Sequence, residues 1–250
     1  MLINKWNRII DKITWFLKYK KGLSSLSYFP ISYIKDGLAT IHNSGFINTP
    51  KFHEAYNSAL TTNSWSEIEW RVHVILWAAM QGSTLDGDFI ECGTNKGGFA
   101  KAICTYLNFK SLNKTFYLLD TFNGLVEKLL SKEEKDAGRQ SGGYEECYGQ
   151  VMQSFKEYKN VKIVRGTVPD TLDQVISVKF AFASIDMNCI GPEIAALDFI
   201  YPKLVKGGII VLDDYAYKGY EEQYKAHNTW ALNNGIEILS LPTGQGIILK

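Results

Sequence analysis

Apolar residues follow two regimes along this chain of 250 residues. From Asp88 onward, short continuous apolar runs alternate with segments in which apolar residues recur every three or four positions. The runs predict strands at 88–92, 115–120, 161–165, 179–186, 207–213, 236–241 and 246–249. The segments between them predict helices at 97–107, 123–130, 147–158, 191–203 and 217–233. Strand followed by helix at this spacing argues for a parallel sheet covered on both faces. Only four residues, 242–245, separate the last two strands, which is too few for a parallel crossover and enough for a hairpin. The expected fold class is α/β: a three-layer, doubly wound, mostly parallel seven-stranded sheet with the last strand antiparallel.

Before residue 81 the pattern is helical and irregular by turns. Pro30 breaks it, and loops are expected at Asn43-Ser44-Gly45 and Thr61-Thr62-Asn63-Ser64. Ile68, Val72, Ile75, Leu76 and Ala79 predict a helix over 66–80, with Ser64 or Ser66 as its N-cap. The expected division is a helical N-terminal segment, 1–80, acting as lid, dimer or docking element, and a main domain, 81–250. The polar, charged stretch 127–146 has two readings that sequence does not separate: a lid that orders over ligand, or a solvated surface excursion.

Composition changes this picture little. With 46% hydrophobic and 21% charged residues and a net charge of +1, the chain can bury a full core and lacks the basic excess of a nucleic-acid binder. Cys92, Cys104, Cys147 and Cys189 lack C-x-x-C spacing, so neither a zinc site nor a disulfide framework is implied, and a reduced, cytoplasmic setting is expected. Residues 1–22 carry Lys5, Arg8, Lys12, Lys18, Lys20 and Lys21 against Asp11, interleaved with apolar residues and without a run long enough to span a membrane. This stretch reads as a helix lying on an anionic membrane surface, or as one packed on its own domain or on a second subunit in a homodimer. The second reading is favoured.

The candidate chemistry sits at strand ends. Gly93, Gly97 and Gly98 follow the first predicted strand in the spacing G-x-x-x-G-G, which is not the G-x-G-x-x-G of dinucleotide binders and contains no phosphate loop. Glu91 beside this turn suits a cationic ligand such as the amino-acid and sulfonium groups of S-adenosylmethionine. Asp120, ending the second strand, suits ribose hydroxyls, and Gly166, after the third, falls where an adenine edge would lie. Glu91 and Asp120 each have a purely local reading as well, as turn or helix caps. Asp186, Asp213 and Asp214 end two further strands, and three oxygen-only ligands at one sheet edge suit a hard divalent ion such as Mg²⁺.

Glu91-Cys92-Gly93, Leu119-Asp120-Thr121-Phe122-Asn123-Gly124-Leu125, Ser184-Ile185-Asp186, Gly207-Gly208 and Val211-Leu212-Asp213-Asp214-Tyr215 resemble the macrocin O-methyltransferase family over about 66–250. The resemblance implies a Rossmann-like methyltransferase fold, S-adenosylmethionine as donor, and Mg²⁺ on Asp186, Asp213 and Asp214. Asn188 stands where the family carries a second acid, and Val126 where it carries proline. The expected cofactor contacts are Glu91, Cys92, Gly93, Thr94, Gly97, Gly98, Asp120, Thr121, Gly166 and Asp186. The expected activity is O-methylation of a sugar or glycosylated small molecule. Asp186 is the first candidate base and His227 the second, although a lone helical His is more often a packing residue. Tyr215, Tyr217 and Tyr220 are candidates to line the acceptor, or are plain loop and helix residues. Arg71 pairs with a cofactor or substrate carboxylate, or else bridges to surface acids. Two other functions compete: a non-catalytic S-adenosylmethionine-binding scaffold or sensor in a glycan pathway, and a nucleotide-dependent oxidoreductase.

Overall fold

The computed structural model describes residues 30–250. The basic stretch 1–22 and its membrane and dimer readings lie outside the described residues. The chain divides into two compact units, 1–45 and 46–250. In the first, strands β1 (Tyr33–Lys35) and β2 (Leu38–Thr40) form an antiparallel hairpin. Asp36 and Gly37 turn it with φ of 50° and 73°, the positive pair that a two-residue hairpin loop requires.

The second unit contains the helices α1 (Pro50–Leu60) and α2 (Glu69–Ser83) as well as the sheet, so its core begins at Phe46 and not at residue 81. The cause is burial: Phe52, Ala55 and Ala59 of α1 and Val72, Ile75, Leu76 and Ala79 of α2 belong to the same apolar cluster as the sheet. Helix α2 starts three residues later than the predicted 66, at Glu69, and neither Ser64 nor Ser66 caps it.

Seven strands form the sheet: β3 (Asp88–Cys92), β4 (Phe116–Asp120), β5 (Val161–Arg165), β6 (Phe180–Ile185), β7 (Leu204–Leu212), β8 (Leu239–Ser240) and β9 (Gly246–Leu249). Their order is β5-β4-β3-β6-β7-β9-β8. The first five are parallel to one another, and β9 is antiparallel to both its neighbours. The last strand is thus reversed as expected, but it is inserted between β7 and β8 rather than added at the edge.

The sheet is buried on both faces. Phe89, Phe116, Leu118, Phe182, Ile209 and Val211 face α2, α3 (Gly98–Tyr106) and α5 (Tyr148–Phe155). Ile90, Leu119, Ala183, Ile185, Ile210 and Leu212 face α6 (Ile190–Ile200) and α7 (Glu221–Asn233). Phe89 lies 5.1–5.7 Å, ring to ring, from Phe109, Phe116 and Phe182, and burying each such ring contributes about 1.5–3 kcal/mol. This two-sided burial is why the strands read as continuous apolar runs.

The helix expected at 123–130 is absent. Phe122 and Gly124 have φ of 55° and 83°, and Leu125 pairs in an isolated bridge with Gly142. Helix geometry begins only at a 3₁₀ turn over Glu127–Leu129 and at the short α4 (Lys132–Asp136).

Candidate functional site

Register carries the candidate residues to one edge. Cys92 pairs with Leu119 and with Ile185, and Ile185 pairs with Leu212, so the residues following β3, β4, β6 and β7 emerge side by side. The ladder continues past the strands. Gly93 N donates to Leu119 O at 2.8 Å, Asp186 N to Cys92 O at 2.8 Å, and Asp213 N to Ile185 O at 3.0 Å. Neighbouring strands β3 and β6 leave in opposite directions, which opens a crevice where ligands of such sheets bind. Gly93 is dictated by this closeness: its φ is 94°, and a Cβ there would lie 1.8 Å from Asp186 O.

A cavity opens at this edge with about 780 Å³ of unfilled space, counting its mouth, and Gly93, Asp120, Thr121, Gly166 and Asp186 line it. Asp120 accepts Asn95 N on Oδ2 at 2.7 Å and Phe122 N on Oδ1 at 2.6 Å, fixing the turns on either side. Burial nevertheless holds its carboxyl above the usual range. Thr121 Oγ1 donates to Gly124 O at 2.7 Å and shapes the same wall. Apolar side chains, among them Phe122, Leu125, Val126, Val168 and Pro192, make up most of the remaining lining, the mixture that accepts a flat heterocycle with a polar sugar.

The remaining cofactor candidates lie elsewhere. Glu91, Cys92 and Thr94 are buried and do not line the cavity. Among the described residues Glu91 Oε2 has no hydrogen-bond partner, and neither has Ser184 Oγ on the strand position paired with Glu91. Burial drives the Glu91 carboxyl well above its ordinary pKa, so the charge expected of it is not favoured in the ligand-free protein. Gly97 and Gly98 do not line the cavity, and both are packed closely against protein side chains. A Cβ on Gly97 would meet the Phe155 ring at 2.7 Å, and one on Gly98 would meet Trp65 Nε1 at 2.4 Å.

The three acids converge. One carboxylate oxygen from each of Asp186, Asp213 and Asp214 lies within 4.8 Å of the other two. They are accompanied by Arg71 on α2, whose guanidinium bonds both oxygens of Asp213 and, at 2.9 Å, Oδ1 of Asp214. Gln245 Nε2 donates to Asp213 Oδ1 at 2.9 Å, and Asn188 Nδ2 donates to Asp186 Oδ1 at 3.2 Å. Burial and then Asp213 push the Asp214 carboxyl up to about 7, and burial with both neighbours lifts Asp186 well above its ordinary value. Burial works against the Arg71 charge, but Asp213 and Asp214 more than offset it and raise its pKa. Sequence left Arg71 between two roles, and the structure gives it a third: a cation inside the acid cluster. Gln245 carried no signal of its own, since the contact joining it to Asp213 spans 32 residues, and Asn188 was marked only as a departure from the family pattern.

His227 stands outside the cavity. It is 1% exposed on α7, with Nε2 3.0 Å from Glu193 Oε2. Glu193 is buried too, and its Oε1 accepts Met187 N and Asn188 N, both at 2.9 Å. His227, Gln223 and these backbone donors outweigh burial and lower the Glu193 pKa. The pair thus secures the loop that follows Asp186 from behind. Tyr215 is buried, its hydroxyl on Asn228 Oδ1 at 2.9 Å, and cannot face an acceptor. Tyr217 lies under Arg71, with the guanidinium carbon 5.2 Å from its ring, and Tyr220 lies under Arg139 at 4.2 Å.

The stretch 127–146 forms a wall of the cavity, to which Leu129 and Tyr144 contribute. Ser131 and Glu134 form a capping box on α4, and Glu134, fully buried, accepts Ile190 N at 2.7 Å. Arg139 Nη2 donates to Gln223 Oε1 at 2.8 Å. The wall is therefore tied to α6 and α7 by buried bonds.

Known proteins share these features. The sequence pattern of the macrocin-O-methyltransferase (TylF) family matches residues 74–237, which hold the glycine turn, Asp120 and all three clustered acids. The chain belongs to that family. Mycinamicin III 3''-O-methyltransferase of Micromonospora griseorubida is 25% identical over 149 residues, 54% of this chain. The match spans 58% of that relative's length. Among solved structures, the O-methyltransferase NovP superposes with a TM-score of 0.62 at 20% identity, over 72% of this chain and 79% of its own. The calicheamicin methyltransferase CalS11, also described as TDP-rhamnose 3'-O-methyltransferase, superposes with a TM-score of 0.58 at 13% identity, over 84% and 94%. These two likenesses show that the chain shares their α/β fold. Among the described residues no helix is long and apolar enough to cross a membrane.

Proposed function

We propose that the protein transfers the methyl group of S-adenosylmethionine to a hydroxyl of a sugar or glycosylated small molecule, with Mg²⁺ held at Asp186, Asp213 and Asp214. One observation carries the reading: Asp186 belongs both to the lining of the nucleoside-sized cavity and to the acid cluster, so a donor and an acceptor would meet at its carboxylate. Family membership and the sugar named in the description of CalS11 agree with it.

The donor set fits a hard divalent ion. It is oxygen-only, and Oδ2 of Asp186 and Oδ2 of Asp214 accept no hydrogen bond among the described residues. Three carboxylates against one guanidinium leave two negative charges in excess when all are ionised. A divalent cation there supplies charge stabilisation to an acceptor hydroxyl and lowers its pKa. S-adenosylmethionine, when bound, supplies an electrophilic methyl group on its sulfonium.

The chain's own residues do the rest. Asp120 holds the Asn95 and Phe122 turns and offers its remaining lone pairs to ribose hydroxyls. Gly166, held by its N–H on Asp120 O at 2.9 Å, leaves the far end open for a base edge. Asp186, which lines the cavity and belongs to the acid cluster, is the group placed to take the hydroxyl proton. Leu125, Leu129 and Tyr144 line the cavity on one side and would help to position the bound donor, and positioning supplies much of the rate.

The test is calorimetry with S-adenosylhomocysteine, followed by transfer of a labelled methyl group to a panel of free and nucleotide-linked sugars with Mg²⁺ or with EDTA. Cofactor binding that Asp120→Ala weakens about tenfold, and turnover that EDTA abolishes and Mg²⁺ restores, are expected. Absence of cofactor binding would overturn the donor; EDTA-resistant turnover would overturn the metal.

A further inference from the structure

Arg71 is built into the acid cluster as firmly as the acids themselves. Its side chain is 11% exposed. Nε and Nη2 fork onto the two oxygens of Asp213, and Nη2 also reaches Asp214 Oδ1 at 2.9 Å. A second device holds this arrangement from the opposite side: Gln245, fully buried, gives one hydrogen of Nε2 to Asp213 Oδ1 at 2.9 Å and approaches Arg71 O at 3.4 Å. The Tyr217 ring closes a face of the guanidinium, with the arginine carbon 5.2 Å from its centroid. Arginine keeps its charge under all working conditions, and its planar fork fixes a carboxylate as no lysine does.

The donors are spent unevenly. Among the described residues, Oδ1 of Asp213 receives two of them and Oδ2 one, Asp214 receives one on Oδ1, and Asp186 receives Asn188 on Oδ1. Arg71 therefore donates to Asp213 and to Oδ1 of Asp214, and the Oδ2 atoms of Asp186 and Asp214, which accept no hydrogen bond among the described residues, are the open side of the cluster. A divalent ion taking the open side would sit beside a fixed positive charge in a poorly screened place, where like charges repel strongly.

We propose that Arg71 is the resident counter-ion of this centre: it holds the metal-free acids together and, by its charge, keeps the divalent cation weakly bound and exchangeable. The inference rests on the reading of the acids as a metal site. It assigns Arg71 a positioning and tuning role without placing it among the ligands. The opposite role is equally concrete. If the fork served mainly to aim Asp213 at the metal, losing it would weaken metal binding.

Calorimetric titration with Mn²⁺ separates the two, using the full chain stripped of metal and four proteins: wild type, Arg71→Met, Arg71→Gln and Arg71→Lys. Melting temperature in EDTA provides a readout independent of turnover. Arg71→Gln retains an amide donor for Asp213 and loses the charge, so it carries the test if Arg71→Met does not fold without metal. Both neutral variants are expected to bind Mn²⁺ about tenfold or more tightly than wild type, to melt several degrees lower in EDTA, and to recover the loss on adding Mn²⁺. Arg71→Lys, which keeps the charge, is expected to bind within about threefold of wild type. Folded neutral variants that bind Mn²⁺ no tighter than wild type would overturn the counter-ion role while leaving the metal site standing. A wild-type protein that binds no Mn²⁺ would overturn both.

Discussion

Replacing Glu193 by alanine tests whether the site is held from behind. The Glu193 carboxylate lies in the core between α6 and α7 and accepts from Met187 N and Asn188 N, from Gln223 Nε2 at 3.0 Å, and approaches His227 Nε2 at 3.0 Å. Glu193→Ala leaves these donors without their acceptor. Each unsatisfied buried group costs about 1–3 kcal/mol, so with two backbone N–H groups and the Gln223 amide stranded a loss of about 3–5 kcal/mol is expected. At about 2–4 °C per kcal/mol for a unit of this size, the melting temperature should fall by about 6–20 °C. Glu193→Gln keeps an acceptor for the two N–H groups and should lose less than half as much. Linkage sets a sign as well. The folded pKa of Glu193 lies below the ordinary 4.5, so its stabilisation is present above that value and disappears as pH falls through the lowered folded value. The gap between wild type and Glu193→Ala should accordingly be constant near neutrality and close in acid. Differential scanning calorimetry across pH 3–8 reads both quantities. A melting temperature within about 2 °C of wild type at pH 7 would refute the argument.

Gly97→Ala should cost about 1–3 kcal/mol in urea denaturation, because φ is 85° and the new Cβ would meet Phe155 at 2.7 Å, while affinity of the folded protein for S-adenosylhomocysteine stays within about threefold. A loss of affinity without a loss of stability would return Gly97 to the cofactor site. Asp214, raised to about 7 by burial and Asp213, binds a proton when folded that it lacks when unfolded, so the stability it contributes is lost as pH rises through about 7. In EDTA, wild type should therefore lose stability relative to Asp214→Asn between pH 5 and 8, and a gain would contradict the assignment.

What sequence reveals of this molecule follows the range of the interactions concerned. The strands were legible because both their faces are buried, and parallel pairing implied a shared edge for their C-terminal ends, so the convergence of the three acids there could be read without a structure. Boundaries failed where local geometry overrides pattern, as at 123–130, where the positive φ of Phe122 and Gly124 stops a helix that the composition allows. Roles failed where a partner is remote. Nothing near His227 signals Glu193, which is 34 residues away in sequence, and nothing near Arg71 signals Asp213, 142 residues on. A glycine also reads alike whether it admits a ligand or a side chain, so Gly93 and Gly97 could not be told apart before Phe155 was seen against the latter.

The distribution of unmet polar groups ties these contacts to function. Among the described residues Glu91 Oε2 and Ser184 Oγ are buried without partners on paired positions of β3 and β6, near Asp186, Asp213 and Asp214, whereas Trp70 Nε1 and Asn160 Oδ1 are unmet elsewhere. At about 1–3 kcal/mol each, groups of this kind weaken a fold that otherwise buries aromatic rings efficiently around Phe89. A sequence selected for stability alone would place apolar residues there, as it does one strand turn earlier at Phe89 and Phe182. Part of that cost is borne at the acid cluster, where the proposed divalent ion would neutralise what Arg71 leaves over. Binding and folding are coupled at this edge for the same electrostatic reason, and ligand-induced stabilisation should concentrate in the strands that carry these acids.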